Sequence, residues 1–203
     1  INNIMDIFKN YLQIHDNTDL AKKLYSVCKD VLDETPKNDQ YPNGRTTYFD
    51  KDIIKKYEKE FSDCANWFIA LGYQFLNTQE FDTSKIQLVM NDFWVSEMNQ
   101  NGFHEAHTHT PGSLISGNFY IHCPKDSASI NFYRPEWLND IFANLPKTNY
   151  NNYNSTQWTI PAQIGRCLMW RSDLTHSVGK NSVDSRIAIS FNMIGKTADG
   201  QVY

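Results

Sequence analysis

From residue 84 onward the chain is built of short segments with the residue pattern of β-strands, separated by turns rather than helices. These segments are rich in β-branched and aromatic residues, which favour strands. They span residues 85–90, 92–98, 114–122, 128–133, 157–160, 166–170 and 186–194. Because strands that follow one another without intervening helices pair in an antiparallel manner, the sequence predicts an antiparallel barrel or jelly roll.

The first third of the chain has a different pattern. Apolar residues recur at helical spacing over residues 2–34 and again over residues 51–76, which predicts helices packed against the sheet. The intervening loop, 36–49, is predicted to be a connector, although a loop of its length could also cover a site. We therefore expect one mainly β domain, with an N-terminal helical support region at 1–78 and a barrel core at 79–203.

Composition and charge narrow the range of partners. The formal net charge of −4 gives no reason to expect binding to nucleic acid or to an anionic membrane. No apolar run approaches membrane-spanning length, and the N-terminal residues do not resemble a secretory signal. The four cysteines are scattered without a CxxC pair, which predicts reduced thiols and a cytoplasmic protein.

A cluster of histidines indicates a metal site. His104, His107 and His109 lie close together in the sequence, and imidazole is the commonest protein ligand for transition metals. On an extended strand, His107 and His109 share one face. His176 could supply a third ligand, and Arg186 follows it to open a strand. The pattern predicts a mononuclear metal site beside an anionic organic cosubstrate.

Neighbouring residues leave the ligand set open at this point. Glu105 lies two residues before His107, so a regular strand would place the two on the same face. His104 is offset from His107 by three residues, and it is expected to face away as a solvated loop histidine. His109 could itself bind the metal, or it could lie behind the ligands while water or Glu105 completes the coordination.

Two blocks of the sequence resemble a known family. The first block is His107-Thr-His109 followed by Pro111-Gly-Ser-Leu-Ile-Ser-Gly117, and the second is His176-Ser-Val178 followed by Arg186-Ile-Ala-Ile-Ser-Phe-Asn192. Together they resemble the small bacterial and phage group of iron(II)/2-oxoglutarate-dependent oxygenases. The similarity in order and spacing runs from about Phe93 to Asn192.

The resemblance implies a double-stranded β-helix, a cupin-like jelly roll, that binds Fe(II) and uses 2-oxoglutarate and dioxygen. His107 and His176 match the two metal histidines, and His109 stands where most of the superfamily has Asp or Glu. We therefore expect these three residues to be the metal ligands and the catalytic centre. Arg186 matches the residue that pairs with the distal carboxylate of 2-oxoglutarate. Ala188 stands where many relatives have a serine, so one expected hydrogen bond is missing.

The strand at 114–122 is predicted to contribute the rest of the cosubstrate pocket. Ser116, Asn118 and Tyr120 share one face, and the residues between them are mostly apolar. This alternation suggests that one face of the strand looks into a polar cavity. We expect all three residues to bind the cosubstrate, with Tyr120 in contact with a carboxylate.

Three functions are open from the sequence. The first is a hydroxylase acting on a small molecule or a peptide, with an aromatic mouth drawn from Trp94, Phe103, Trp137 and Trp158. The second is a cupin-type three-histidine enzyme without 2-oxoglutarate, in which Arg186 would have no role. The third is a non-catalytic binding barrel. In each case an exposed sheet edge could pair two copies as a homodimer.

Overall fold

A computed structural model describes residues 10–135 and 141–203 of the chain. It contains three α-helices: α1 (Thr18–Glu34), α2 (Lys51–Lys56) and α3 (Glu58–Thr78). The strands are β1 (Leu12–Asp16), β2 (Gly44–Thr46), β3 (Gln87–Met98), β4 (His104–His107), β5 (Ile115–His122), β6 (Ile130–Tyr133), β7 (Gln157–Ile160), β8 (Arg166–Arg171), β9 (His176–Val178) and β10 (Arg186–Lys196). Short 3-10 helices lie at Thr47–Phe49 and Thr83–Lys85.

The strands form two sheets, and neighbouring strands within each sheet are antiparallel. The larger sheet has the order β1-β8-β5-β10-β3-β2, and the smaller has the order β4-β9-β6-β7. The predicted mainly β, antiparallel class is therefore confirmed. None of the helices in the described part of the chain is long and apolar enough to cross a membrane.

The helices cover the outer face of the larger sheet. Phe68 of α3 stacks on Phe191 of β10 with ring centroids 4.1 Å apart, and it meets Phe119 of β5 edge-on at 5.7 Å. All three side chains are fully buried. Burial of each such side chain stabilises the fold by roughly 1.5–3 kcal/mol. The helical layer thereby holds β5 and β10 rigidly, and these strands carry most of the predicted cosubstrate residues.

A second core lies between the two sheets. Tyr120, Trp170 and Ala188 of the larger sheet pack in one buried cluster with Ile130 and Phe132 of the smaller sheet. The rings of Phe132 and Trp170 meet edge-on at 5.1 Å. The two sheets therefore face each other across an apolar layer, and the candidate site lies beside it.

Several boundaries differ from the sequence predictions. Residues 12–16 form the edge strand β1 and not part of a helix, because their backbone pairs with β8 from Leu12↔Trp170 to Asp16↔Arg166. The helix predicted at 51–76 is interrupted at Tyr57, where α2 ends and α3 begins. The segments predicted at 85–90 and 92–98 are one continuous strand, β3. The predicted helical start at residues 2–9 lies outside the described residues.

Two further sequence features can be placed. The four cysteines, Cys28, Cys64, Cys123 and Cys167, are free thiols, as expected. Trp137 lies outside the described residues, whereas 141–153 contains turns without a helix or strand. The division of the chain at residues 78 and 79 stays a prediction.

Candidate active site

Three histidines meet where β4 and β9 run side by side. His107 ends β4 and is directly paired with His176, the first residue of β9. His109 lies two residues beyond β4, where its backbone N–H donates a hydrogen bond to the Ser172 carbonyl at 2.9 Å. The predicted triad is thus assembled from one turn and two neighbouring strands. His176 is the most buried of the three histidines.

The three imidazoles point at a common position. One nitrogen of each ring lies within 4.8 Å of the corresponding nitrogens of the other two. The Nε2 atoms of His109 and His176 are 3.3 Å apart. Two nitrogens that bind one metal at right angles, each through a bond of about 2.1 Å, would be separated by about 3.0 Å. The observed spacing fits a shared metal ion with little movement.

Backbone carbonyls fix two of the rings with the metal-facing nitrogen free. His107 Nδ1 donates to the Glu105 carbonyl at 2.7 Å, and His176 Nδ1 donates to the Leu174 carbonyl at 3.0 Å. Because a carbonyl oxygen can only accept, each Nδ1 carries a proton, and in the neutral ring the lone pair is then on Nε2. Such outer hydrogen bonds are the usual support of metal-binding histidines.

Burial keeps the imidazoles of His109 and His176 neutral. It lowers the pKa of His176 to about 3 and the pKa of His109 to about 4, and in both cases the neighbouring His107 lowers the pKa further. Asp92 partly opposes the shift at His109. Trp170 packs edge-on against His176 at 4.8 Å, and Trp94 stacks on His109 at 6.2 Å. His109 and His176 are therefore neutral, immobilised ligands at neutral pH.

His104 does not face away as expected, because β4 contains a register shift between His104 and His107. Such a bulge places residues three apart on one side of the strand. His104 lines the same pocket as the triad, and burial lowers its pKa to about 4, with further lowering by His107 and Arg186. Within the described residues, Glu105 is not part of the group that could bind a metal.

Arg186 lies in this pocket with a buried guanidinium that has no counter-ion in the described part of the chain. The side chain is 5% exposed, and its Nε atom has no hydrogen-bond partner among the described residues. Glu97, on the neighbouring strand β3, pairs instead with Lys29 at 3.4 Å and accepts a hydrogen bond from Ser185 at 2.7 Å. A buried charge without a partner is costly, so the pocket is built to receive an anion.

The other predicted cosubstrate residues lie along β5, the strand next to Arg186. Ser116 and Asn118 line the pocket, and the ring of Tyr120 lies 4.9 Å from the guanidinium carbon of Arg186. Ser116 already donates to Asn192 Oδ1 at 2.8 Å, whereas the Asn118 amide nitrogen has no partner among the described residues. Burial raises the pKa of Tyr120, partly opposed by Arg186. The Tyr120 phenol is therefore protonated at neutral pH.

Sequence reasoning missed several pocket residues, and two of them carry a hydroxyl group. Tyr41 and Ser96 both line the pocket, and Tyr41 comes from the loop that was predicted to be a connector. Neither belongs to a motif, and only the length of the loop hinted at a role. Of the aromatic residues expected at the mouth, Trp94 lines the pocket, while Phe103 and Trp158 are exposed elsewhere on the surface.

A family of known sequences matches the part of the chain that carries this site. The family described as "Putative 2OG-Fe(II) oxygenase" matches residues 92–192, a range that includes the triad and Arg186. The chain belongs to the 2OG-Fe(II) oxygenases. It is accordingly an oxidoreductase that depends on iron, 2-oxoglutarate and dioxygen. No curated protein sequence matches it significantly.

Two solved structures with TM-scores above 0.5 share the fold. A prolyl-4-hydroxylase from Pseudomonas putida has a TM-score of 0.55 at 12% identity, over 90% of this chain and 91% of that chain. HygX from Streptomyces hygroscopicus, with nickel and 2-oxoglutarate bound, has a TM-score of 0.57 at 11% identity, over 90% of this chain and 82% of that chain. An oxidoreductase of the 2OG-Fe(II) oxygenase family from Burkholderia pseudomallei aligns with 53% of this chain, at 10% identity and a TM-score of 0.40. The chain spans only 44% of the length of that protein.

Proposed function

We propose that the chain is a hydroxylase that binds Fe(II) through His107, His109 and His176 and binds the distal carboxylate of 2-oxoglutarate through Arg186. The single observation that carries this proposal is the buried guanidinium of Arg186, which forms no ion pair among the described residues and lies in the same pocket as the histidine triad. An anion with a second group that reaches the metal would satisfy both features.

The donor set fits a divalent iron. Three imidazoles on one side of a bound metal would leave its other positions open for the cosubstrate, dioxygen and water. When they are bound, iron, 2-oxoglutarate and dioxygen supply the oxidation, in which 2-oxoglutarate becomes succinate and carbon dioxide while an oxygen atom enters the substrate. Because His109 replaces a carboxylate, the metal keeps its full charge until the anionic cosubstrate binds.

The remaining pocket residues position the cosubstrate. Arg186 offers a planar, permanently charged fork that matches a carboxylate. Its guanidinium is held over the ring of Tyr120, and the Asn118 amide, which has no partner among the described residues, can donate to the bound anion. We assign Ser116, Asn118 and Tyr120 to cosubstrate binding on this basis. The small side chain of Ala188, on the same face as Arg186, leaves room for the ligand.

The proposal extends to the fold type, the substrate, the cellular location and the oligomeric state. We infer that the two facing sheets are the halves of a double-stranded β-helix, the fold that the family resemblance implies. The substrate would be a small molecule or a peptide that approaches past Trp94, which lines the pocket and stacks on His109. A cytoplasmic location and a homodimer stay predictions.

A cupin-type three-histidine enzyme without 2-oxoglutarate is the second candidate. The three imidazoles would suit it equally well, since they converge without a carboxylate. It leaves Arg186 buried and unpaired, whereas the hydroxylase gives that charge a partner. A non-catalytic barrel shares this difficulty, because it accounts for neither the triad nor the arginine.

The deciding experiment is an anaerobic titration of the Fe(II)-loaded protein with 2-oxoglutarate, followed by the visible charge-transfer absorption of the complex. Arg186→Ala should abolish the band at cosubstrate concentrations that saturate the wild type. The matched control is Arg166→Ala, because Arg166 pairs with Asp16 at 3.2 Å and does not line the pocket. Tight iron binding without any band in the wild type would contradict the proposal and favour the cupin-type enzyme.

A further inference from the structure

We propose that the Tyr41 hydroxyl donates a second hydrogen bond to the distal carboxylate of 2-oxoglutarate, beside Arg186. The inference rests on the proposed function, because it assumes that the anion in this pocket is 2-oxoglutarate. It assigns a binding role to the loop at 36–43, which leads into β2 and precedes the part of the chain matched by the family.

The first observation is the state of the Tyr41 hydroxyl. Its oxygen is buried, and it has no hydrogen-bond partner among the described residues, although Tyr41 lines the pocket together with Arg186. An unsatisfied buried hydroxyl destabilises a protein. The Nε atom of Arg186 in the same pocket also has no hydrogen-bond partner among the described residues. The two unsatisfied groups together indicate that one ligand binds to both.

The second observation is that the loop fixes the Tyr41 ring. A Cβ atom at Gly44 would overlap the Glu97 carbonyl oxygen and would lie 2.7 Å from Cε1 of Tyr41, so only glycine allows the ring to rest there. On its other side the ring meets His104 edge-on at 5.5 Å. Asn43 ties the loop to the end of β3, because its carbonyl accepts a hydrogen bond from the Asn99 N–H at 2.8 Å.

The third observation concerns the charge of the groups. Burial raises the pKa of Tyr41 to about 12, the Arg186 guanidinium partly opposes this shift, and Glu97 adds to it. The phenol is therefore a neutral donor at neutral pH, and it lies close enough to Arg186 to respond to its charge. A carboxylate has lone pairs for several donors, so it can accept from both residues.

The fourth observation is the gap that Tyr41 would fill. Ala188, two residues after Arg186, lines the pocket but has no polar group. A serine at that position would donate to a carboxylate held by Arg186. Tyr41 and Tyr120 both lie beside Arg186, and of these two Tyr41 is the one among the described residues that line the pocket, so its hydroxyl can take the place of that serine.

The test compares wild type, Tyr41→Phe and Tyr73→Phe, each loaded with Fe(II) under anaerobic conditions. Tyr73 is the matched control, because its hydroxyl accepts a hydrogen bond from the Leu88 N–H at 3.0 Å and lies outside the pocket. Dissociation constants are measured for 2-oxoglutarate and for 2-oxopentanoate, which has a methyl group in place of the distal carboxylate. Thermal unfolding of each metal-free protein is recorded as a readout of structural damage.

Tyr41→Phe should raise the dissociation constant of 2-oxoglutarate by about ten- to a hundred-fold, the range expected for one hydrogen bond to a charged group. The dissociation constant of 2-oxopentanoate should change far less. The metal-free variant should unfold at the same temperature as the wild type or higher, because an unsatisfied hydroxyl has been removed. Tyr73→Phe should unfold at a lower temperature and bind 2-oxoglutarate normally.

Three results would overturn the inference while the proposed function stands. They are an unchanged affinity of Tyr41→Phe for 2-oxoglutarate, an equal loss of affinity for both ligands, and a lower unfolding temperature that marks the hydroxyl as structural. Failure of the wild type to bind 2-oxoglutarate would overturn the proposed function itself, and the inference with it.

Discussion

The guanidinium of Arg186 lies over the ring of Tyr120, with the guanidinium carbon 4.9 Å from the ring centroid. The two residues stand on adjacent strands, because Tyr120 is paired with Ala188, two residues beyond Arg186. Both side chains are buried. A cation over an aromatic face gains roughly 2 kcal/mol or more when it is desolvated, so the ring partly offsets the cost of burying the charge.

Substitution of Tyr120 should separate the effects of its ring and its hydroxyl. Tyr120→Phe keeps the cation–π contact and removes only the proposed hydrogen bond, so 2-oxoglutarate affinity should fall by about tenfold. Tyr120→Leu removes the ring as well and should weaken binding by a further factor of about ten. Isothermal titration of the metal-loaded variants measures both changes. Equal affinities for the two variants would show that the ring does not position Arg186.

His109→Ala tests whether the third histidine binds the metal. Loss of a group that only supports a ligand reduces metal affinity by about 10–100-fold, so loss of a ligand should exceed that range. The control is His15→Ala, because His15 lies on β1 and outside the pocket. Binding of Co(II) can be followed by its visible absorption. If His109→Ala binds as the wild type does while Glu105→Gln binds poorly, then Glu105 completes the site instead.

The site residues that could be predicted from the sequence are those recognisable by their residue type and their spacing along the chain. The His107-x-His109 spacing, His176 and the basic residue that opens β10 are visible in the sequence, and the structure brings their side chains to one pocket. His104 could not be placed in the same way. Its orientation depends on a register shift in β4 that appears only when β4 pairs with β9.

The fold shows the same division between local and non-local information. Alternating patterns predicted the central strands β5 and β10, whose faces are set by burial. β1 was missed because it is a strand only through its pairing with the edge of β8. Tyr41 was missed for a related reason, since its position depends on contact between its loop and the backbone near Gly44. Such tertiary contacts override local propensity, and they produce no periodic pattern of apolar residues in the sequence.

Gly117→Ala should destabilise the protein without touching the metal ligands. A Cβ atom at Gly117 would overlap the ring of Phe191, which is stacked between β10 and Phe68 and cannot move aside. Overpacking of this kind costs about 1–3 kcal/mol. The control is Gly179→Ala, where the nearest atom to the new Cβ would be the Ser129 carbonyl oxygen at 3.8 Å. That change should stay within about 0.5 kcal/mol.

Urea denaturation of the two glycine variants measures the difference. The denaturation midpoint of Gly117→Ala should fall while the slope m stays constant, because the folded and unfolded surfaces are unchanged. Equal midpoints for both variants would show that Phe191 can yield and that the contact between β5 and β10 is looser than its geometry indicates.

Metal binding should stabilise the folded protein, because the three imidazoles converge only when β4 and β9 are paired. Free metal at a hundred times its dissociation constant contributes about 2.7 kcal/mol, which corresponds to a rise of roughly 5–11 °C in the unfolding temperature of a domain of this size. Chelation should reverse the rise. His107→Ala should abolish it, whereas His122→Ala should retain it, because His122 is not part of the group that could bind a metal among the described residues. The unfolding temperatures can be measured by differential scanning calorimetry with Mn(II), which avoids the oxidation of iron in air. An equal rise in unfolding temperature for both variants would show that the stabilising metal binds away from the triad.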